Sequence, residues 1–157
     1  MIEKVVSGGQ SGVDRAALDI AIRNELPHGG WCPSGRRAED GRIGKHYHLT
    51  EAATSEYAER TRLNVRDSDG SLILTRGRPC GGTALTLEYA AACHKPCHVI
   101  DIDASTDVPA FLDWLTRNNI RVLNIAGPRE SKQPGIYAAA CKVLQELIDA
   151  TRAWGEG

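Results

Sequence analysis

The sequence has no long hydrophobic run, no excess of either charge and no pattern of paired cysteines. Its apolar stretches are too short to span a bilayer, and the first residues, MIEKVV, lack the basic and apolar regions of a signal peptide. With 19 basic against 20 acidic residues, the chain offers no general attraction to a nucleic acid backbone. We therefore expect a cytoplasmic protein that binds neither membrane nor nucleic acid.

The five cysteines are scattered and odd in number, which suits a reducing compartment better than a disulfide framework. The segment CHKPCH combines residue types that bind zinc. However, Pro96 separates a predicted helix end from a strand start, so Cys97 and His98 should point to opposite sides of that strand. We therefore predict no metal site.

Apolar runs alternate with helical patterns along the whole chain, and no tight hairpin signal interrupts them. Strands are predicted at 2–8, 71–75, 97–102 and 121–127, and helices at 12–24, 54–65, 81–94, 107–119 and from 134 onward. Ser11 with Asp14 is a candidate capping pair for the first helix, and Asp107 a candidate cap for the fourth. Because parallel strands need crossover connections, the alternation predicts one α/β domain over 1–157, with a mostly parallel sheet and helices on both faces.

Three predicted strands end in similar segments, SGGQSGVDR, RPCGGTALTLE and NIAGPRESKQPG. Each places glycine after the strand and hydroxyl groups before the helix, where free backbone amides favour an anion. The carboxyl ends of parallel strands meet at one edge, so we predict a phosphate site there. Neither the G-x-G-x-x-G fingerprint nor a P-loop is present. The residues expected at the ligand are Gly8, Gly9, Gln10, Ser11, Asp69, Gly81, Gly82, Thr83, Thr86, Gly127, Arg129, Glu130 and Ser131.

The long segment PHGGWCPSGRRAEDGRIGKHYHLTE separates the first two predicted helices and is too long for a simple connection. Its Arg36 and Arg37 are candidate forked donors to phosphate, with a solvated loop pair as the alternative. Trp31 and Tyr47 are candidates for a wall beside a flat ligand ring, although either could be core. Cys32 is expected at the rim of the same pocket.

Several of the remaining residues have a purely structural alternative. Asp14 could contact the ligand or could only cap its helix, and Glu130 could serve only to orient Arg129. Asp69 could be a turn residue. Cys80 stands at the rim of the predicted pocket, where a thiolate could touch a soft metal or could have no function.

The stretch YAERTRLNVRDSDGSLILTRGRPCGGTALTLE resembles the core of the lysine-decarboxylase-like phosphoribohydrolases, which cleave nucleoside monophosphates. The resemblance implies a catalytic pair of Arg60, which positions the phosphate, and Glu88, the general acid or base. The family motif P-G-G-x-G-T-x-x-E is altered here. Cys80 replaces its proline, Ala84 its third glycine and Leu85 its threonine. These departures weaken the case for hydrolysis.

A closer resemblance covers nearly the whole chain. The motifs GGQSGVDRAALD, HGGWCPSGRRAEDG, NVRDSDGSLIL, GGTALT and NIAGPRES are similar to those of the molybdenum carrier family, which forms a circularly permuted YpsA-like branch of the nucleotide-binding SLOG superfamily. The resemblance implies a three-layer Rossmann-like fold, a homo-oligomer, and reversible binding of molybdenum cofactor, a pyranopterin with a terminal phosphate. The implied partners are this small phosphorylated ligand and the enzymes that make or accept the cofactor.

Three functions use the same predicted pocket, and the sequence leaves all three open. A carrier is favoured by the altered glycine motif, which also makes a non-enzymatic role the stronger reading. A phosphoribohydrolase is favoured by Arg60 and Glu88, which keep their places within their motifs. A nucleotide-sensing module fits the superfamily. The number of subunits, and whether a neighbouring subunit completes the pocket, do not follow from the sequence.

Overall fold

The computed structural model describes residues 1–157 and is built around a five-stranded parallel sheet with the order β2-β1-β9-β7-β8. The sheet strands are β1 (Lys4–Val6), β2 (His28–Gly29), β7 (Gly70–Thr75), β8 (Cys97–Asp101) and β9 (Val122–Ala126). Four two-residue strands lie between β2 and the second helix: β3 (Trp31–Cys32), β4 (Arg37–Ala38), β5 (Gly41–Arg42) and β6 (Thr50–Glu51). The helices are α1 (Val13–Arg23), α2 (Tyr57–Arg66), α3 (Gly81–Ala92), α4 (Val108–Arg117) and α5 (Ile136–Gly155).

Every neighbouring pair of strands in this sheet is parallel, and helices flank it, so the predicted α/β architecture is confirmed. Along β7, Leu72 and Leu74 point into a cluster of 21 buried apolar residues shared with α1, α4 and α5. Ser71 and Ile73 alternate with them and face the opposite side, where α2 and α3 pack against each other. None of the five helices combines the length and the hydrophobicity that crossing a membrane requires.

The face of the sheet toward α2 and α3 is more polar than the other. Ser71, Thr75 and Asn124 are all at most 2% exposed there, and the Asn124 side-chain amide donates to Ser71 Oγ at 3.0 Å. On α3 the residues turned inward include Thr83 and Thr86. Such buried polar groups need hydrogen-bond partners, so this face has a smaller apolar area with which to stabilise the fold.

The segment between α1 and α2 contains structure that the sequence did not predict. His28–Gly29 adds an edge strand beside β1, and residues 37–42 form the antiparallel β4–β5 hairpin, with Glu39 and Asp40 at its tip. The absence of a hairpin was therefore a wrong prediction. Strands of two residues are too short to show the alternation of apolar and polar side chains from which a hairpin is read.

Arg36 fixes the path of this segment. Its side chain is buried, and its guanidinium donates to the backbone carbonyls of Ile43 (3.0 Å), Gly44 (2.7 Å) and Tyr47 (2.8 Å). A further bond reaches Leu49 O at 3.3 Å. Backbone carbonyls that face inward from an irregular loop are costly unless paired, and one arginine pairs several of them here.

Of the two predicted helix caps, one is present in the structure and the other is not. Asp107 caps α4, since its Oδ1 accepts from the Ala110 amide at 3.0 Å. The predicted pair of Ser11 and Asp14 does not cap α1, which follows Gly12 without a side-chain cap. The Ser11 hydroxyl donates to Glu39 instead, and Asp14 Oδ2 accepts from the Gln10 amide, which precedes the helix.

Candidate functional site

A cavity of about 590 Å³ lies where β1 and β9 end and α3 begins. This is the edge at which open parallel sheets hold ligands, and the volume falls within the roughly 300–1,000 Å³ usual for small-molecule sites. Its lining comes from the β1–α1 junction, α2, the start of α3 and the β9–α5 loop. The residues are Gln10, Asp14, Tyr57, Ala58, Arg60, Thr61, Cys80, Gly81, Gly82, Thr83, Leu85, Thr86, Ala126, Gly127, Pro128, Arg129, Lys132 and Gln133.

The start of α3 opens directly into this cavity. No side chain caps the helix, and a Cβ added to Gly81 or Gly82 would meet nothing within 4 Å. Gly81 has φ +55°, a conformation that favours glycine. Unpaired amides at a helix start carry partial positive charge, so this wall of the cavity suits an anion.

The other two glycine-rich junctions are already used by the chain itself. Asp14 Oδ2 accepts from the Gln10 amide at 3.4 Å, and Val13 N donates to Pro128 O at 3.2 Å. At α5, Glu130 accepts from the amides of Gly135 and Tyr137. The three junctions looked equivalent in the sequence, but the chain pairs the first amide of α1 with Pro128 O and amides of α5 with Glu130, whereas Gly81 and Gly82 open α3 without a side-chain cap.

Cations outnumber acids around the cavity. Arg60, Arg129 and Lys132 line it, and Asp14 is the only carboxylate that does so. Arg60 Nη1 lies 3.2 Å from Asp14 Oδ2, with side chains that are 12% and 3% exposed. Burial raises the pKa of Asp14 above its usual range, and the Arg60 guanidinium opposes that rise. The pair holds Arg60 in place and leaves Arg129 and Lys132 to supply net positive charge.

Two buried polar atoms of lining residues have no hydrogen-bond partner within the protein, Gln10 Oε1 and Arg60 Nε. The Gln10 amide nitrogen donates to Arg37 O at 2.8 Å, so the free atom on the other side of that amide is an acceptor. Leaving a buried donor or acceptor unpaired costs about 1–3 kcal/mol. One acceptor and one donor are therefore left for a ligand or an ordered water to satisfy.

Tyr57 is the aromatic residue of the cavity, and the sequence did not single it out. The Arg129 guanidinium carbon lies 4.4 Å from the centre of its ring, and that of Arg60 lies 5.9 Å away. The spacing of Tyr57 and Arg60, three residues apart on one predicted helix, was a signal that could have identified it. Trp31 and Tyr47 do not line the cavity, since they hydrogen-bond to Asp67 and Asp19 instead.

The structure brings part of the predicted ligand set together at this cavity. The predicted residues that line it are Gln10, Arg60, Gly81, Gly82, Thr83, Thr86, Gly127 and Arg129. Those outside the lining are Gly8, Gly9, Ser11, Arg36, Arg37, Asp69, Glu88, Glu130 and Ser131. Gly8 is nevertheless close, because a Cβ there would lie 1.9 Å from Arg60 Nη1.

The outlying residues have structural partners or face solvent. Asp69 Oδ2 accepts from the amides of Arg121 (3.0 Å) and Val122 (2.8 Å), which joins the start of β7 to the start of β9. Glu88 is exposed on the outer side of α3, and Arg37 is exposed on the β4–β5 hairpin.

The two cysteines expected at the rim differ in position. Cys80 is exposed, lines the cavity and immediately precedes α3. Cys32 is buried away from the lining, and burial raises the pKa of its thiol. No three His, Cys, Asp or Glu side chains lie close enough together to share a metal ion.

A five-stranded parallel sheet flanked by helices defines a Rossmann-like α/β protein. The sequence profile of the circularly permutated YpsA SLOG family matches residues 5–148, so the chain belongs to that family. The crystal structure of a protein from Syntrophus aciditrophicus SB, named "putative molybdenum carrier protein", is 49% identical in sequence. The match covers 93% of this chain and 94% of that one, with a TM-score of 0.88. No curated protein matches the chain.

Proposed function

We propose that this protein binds molybdenum cofactor reversibly, as a carrier, in the cavity at the start of α3. The observation that carries the proposal is the combination of a free helix start at Gly81 and Gly82 with the cations Arg60, Arg129 and Lys132. A terminal phosphate needs such a set of donors. The 49% identity to a protein named as a molybdenum carrier supports the choice of the pterin over other phosphorylated ligands.

The remaining lining residues fit the flat part of such a ligand. Tyr57 offers an aromatic surface, while Gln10 Oε1 and Arg60 Nε offer one acceptor and one donor that the protein leaves unpaired. A pterin carries both donors and acceptors on its ring edge, so these atoms would orient it. The cofactor is cargo in this proposal. The protein's part is to hold the phosphate and shield the ring.

The geometry supports binding more than glycosidic hydrolysis. A hydrolase of the resembling family would need Glu88 at the substrate, but Glu88 is exposed outside the lining. Asp14, the carboxylate that does line the cavity, is paired with Arg60. Asp14 is not the motif residue to which the resembling family's mechanism assigns the role of acid or base, and the residue that is, Glu88, lies outside the lining.

Incubation of the purified protein with molybdenum cofactor and, separately, with AMP tests the proposal. We expect saturable binding by pterin fluorescence and no release of adenine. Arg129→Ala should weaken pterin binding about tenfold or more, since a charge-assisted bond is lost. Arg117→Ala is the matched control, because Arg117 is an exposed arginine on α4. Adenine release that disappears in Glu88→Gln would favour the hydrolase instead.

We also propose a cytoplasmic homo-oligomer that exchanges its ligand with enzymes of cofactor synthesis or insertion. The near-neutral charge and the scattered cysteines support the location, and the family resemblance supports the assembly. Sedimentation equilibrium with and without the cofactor measures the number of subunits. A strict monomer in both conditions would contradict the assembly without affecting the binding site.

A further inference from the structure

The tip of the β4–β5 hairpin reaches the two serines that flank the cavity. The carboxylate of Glu39 accepts hydrogen bonds from the hydroxyl groups of Ser11 and Ser131 and from the Ser131 amide, the last at 3.2 Å. We call these three donors the serine nest. Ser11 Oγ also accepts from the Glu130 amide at 3.2 Å, so the nest spans the β1–α1 and β9–α5 junctions.

The nest holds its carboxylate as an anion. Although desolvation opposes the charge, hydrogen bonds from Ser11 and Ser131 and the nearby Arg129 lower the pKa of Glu39. Two hydroxyl groups and a backbone amide around one carboxylate form the type of donor set that binds phosphate elsewhere in proteins. The side chain of Glu39 thus occupies a site with anion-binding chemistry.

The nest adjoins the cavity through residues that belong to both. Arg129 lines the cavity and acts on the charge of Glu39. Gln10 lines the cavity and donates from its side chain to Arg37 O, at the base of the same hairpin. Gln10 Oε1, in a side chain that is 1% exposed, has no partner. The serine nest and the cavity are therefore neighbours, with Arg129 between them.

We infer that the serine nest is a second anion subsite, which Glu39 fills in the free protein and a second phosphate of the ligand fills once the hairpin moves away. The class of ligand that would use both subsites is one with two phosphate groups or a diphosphate, whereas a pterin with a single phosphate would use only the subsite at α3. The inference rests on the proposed function only in placing the first phosphate at α3.

Displacement of Glu39 is feasible because the residue is exposed and its hydrogen bonds compete with water. The neighbouring acid at the hairpin tip has a different partner. Asp40 makes two contacts with the Arg15 guanidinium, at 3.1 and 3.2 Å, on the side of α1. Asp40 supplies the matched control, since it shares the hairpin and the charge of Glu39 but does not enter the nest.

Titration of ¹⁵N-labelled protein with inorganic phosphate tests the subsite through the Ser131 amide. In the wild type we expect phosphate to shift the amides of Gly81 and Gly82 and to leave Ser131 unchanged. In Glu39→Ala, phosphate should shift Ser131 in a saturable manner. In Asp40→Asn, Ser131 should behave as in the wild type. If Ser131 does not respond in Glu39→Ala, or responds equally in Asp40→Asn, the inference is wrong.

Pyrophosphate affinity gives an independent measurement. Glu39→Ala should bind pyrophosphate about fivefold more tightly than the wild type does, because the internal competitor is gone. The double variant Glu39→Ala with Ser131→Ala should lose this gain in pyrophosphate affinity. If the double variant keeps the gain, the serine nest is not the subsite. Glu39→Ser repeats both measurements with another side chain too short to fill the nest, in case the alanine variant does not fold. Loss of pterin binding with an intact Ser131 response would overturn the proposed function alone.

Discussion

One face of the sheet is filled by aliphatic side chains from α1, α4 and α5, whereas the face under α2 and α3 carries Ser71, Thr75 and Asn124. The cavity lies beside this polar face, at the ends of β1 and β9, and contacts no large apolar cluster. The first face supplies most of the buried apolar area, which is the main source of stability. The second is arranged around hydrogen bonds and charge. The residues of the apolar cluster are therefore distinct from those that line the cavity.

The largest effect should come from adjacent residues of β7 that face opposite sides. Leu72→Ala removes a fully buried side chain from the 21-residue cluster and should lower the free energy of unfolding by about 3 kcal/mol. Ser71→Ala removes one hydrogen bond and should cost about 1 kcal/mol. Urea unfolding measures both. Equal losses at the two positions would show that the faces do not differ in this way.

The next largest effect on stability should distinguish the two neighbouring arginines of the segment between α1 and α2. Arg36→Ala removes the side-chain donor of the Ile43, Gly44 and Tyr47 carbonyls and should cost about 2 kcal/mol of stability, even though Gly44 O and Tyr47 O keep a backbone donor. Arg37→Ala should change stability by less than about 0.5 kcal/mol, since the side chain is exposed. Thermal unfolding provides the measurement, with pterin affinity of the folded fraction as the second readout. If Arg36→Ala loses affinity without losing stability, Arg36 contacts the ligand and its assigned structural role is wrong.

A substitution at the start of α3 should have a smaller effect, on ligand affinity and not on stability. Gly82→Asp places a carboxylate at the free start of α3, as Glu130 does at α5, and should weaken phosphate-ligand binding about tenfold. The fold has room for the side chain, because a Cβ at this position meets no atom within 4 Å. Gly82→Asn is the neutral control of similar size. If both variants bind equally well, the anion does not lie at this helix start.

The smallest effect concerns acid pH. The pKa of Glu39 is lowered in the folded protein, so its contribution to stability is complete above the pKa of about 4.3 in the unfolded chain and is lost as the pH falls through the lower folded value. The wild type should therefore lose stability in acid relative to Glu39→Gln. Stability measured from pH 6 to pH 3 checks this, and parallel curves for the two proteins would contradict it.

The sequence predicted the long elements well, because their periodic patterns are local. The β7 strand and the α3, α4 and α5 helices begin within about two residues of the predicted positions. The segment from 25 to 53 was predicted only as a loop, and the second helix begins at Tyr57 rather than at the predicted residue 54. Its short strands are positioned by Arg36 and by contacts between distant residues, and no local pattern reports such contacts.

The candidate site was predicted in location but not in detail. The carboxyl ends of the strands follow from topology, so the glycines of α3 and the β9–α5 loop could be placed near the cavity from the sequence. Which helix starts stay free depends on the hydrogen bond from Val13 N to Pro128 O at α1 and on the pairing of Glu130 with the α5 amides. These are tertiary contacts, and glycine content alone gives no information about them.

Gly8 makes room for the guanidinium of Arg60, which comes from a distant part of the chain. A Cβ at position 8 would lie 1.9 Å from Arg60 Nη1 and 2.9 Å from Asp14 Oδ2. A side chain there would therefore push the guanidinium away from its carboxylate partner. A residue without a side chain thus sets the position of a charge in the cavity.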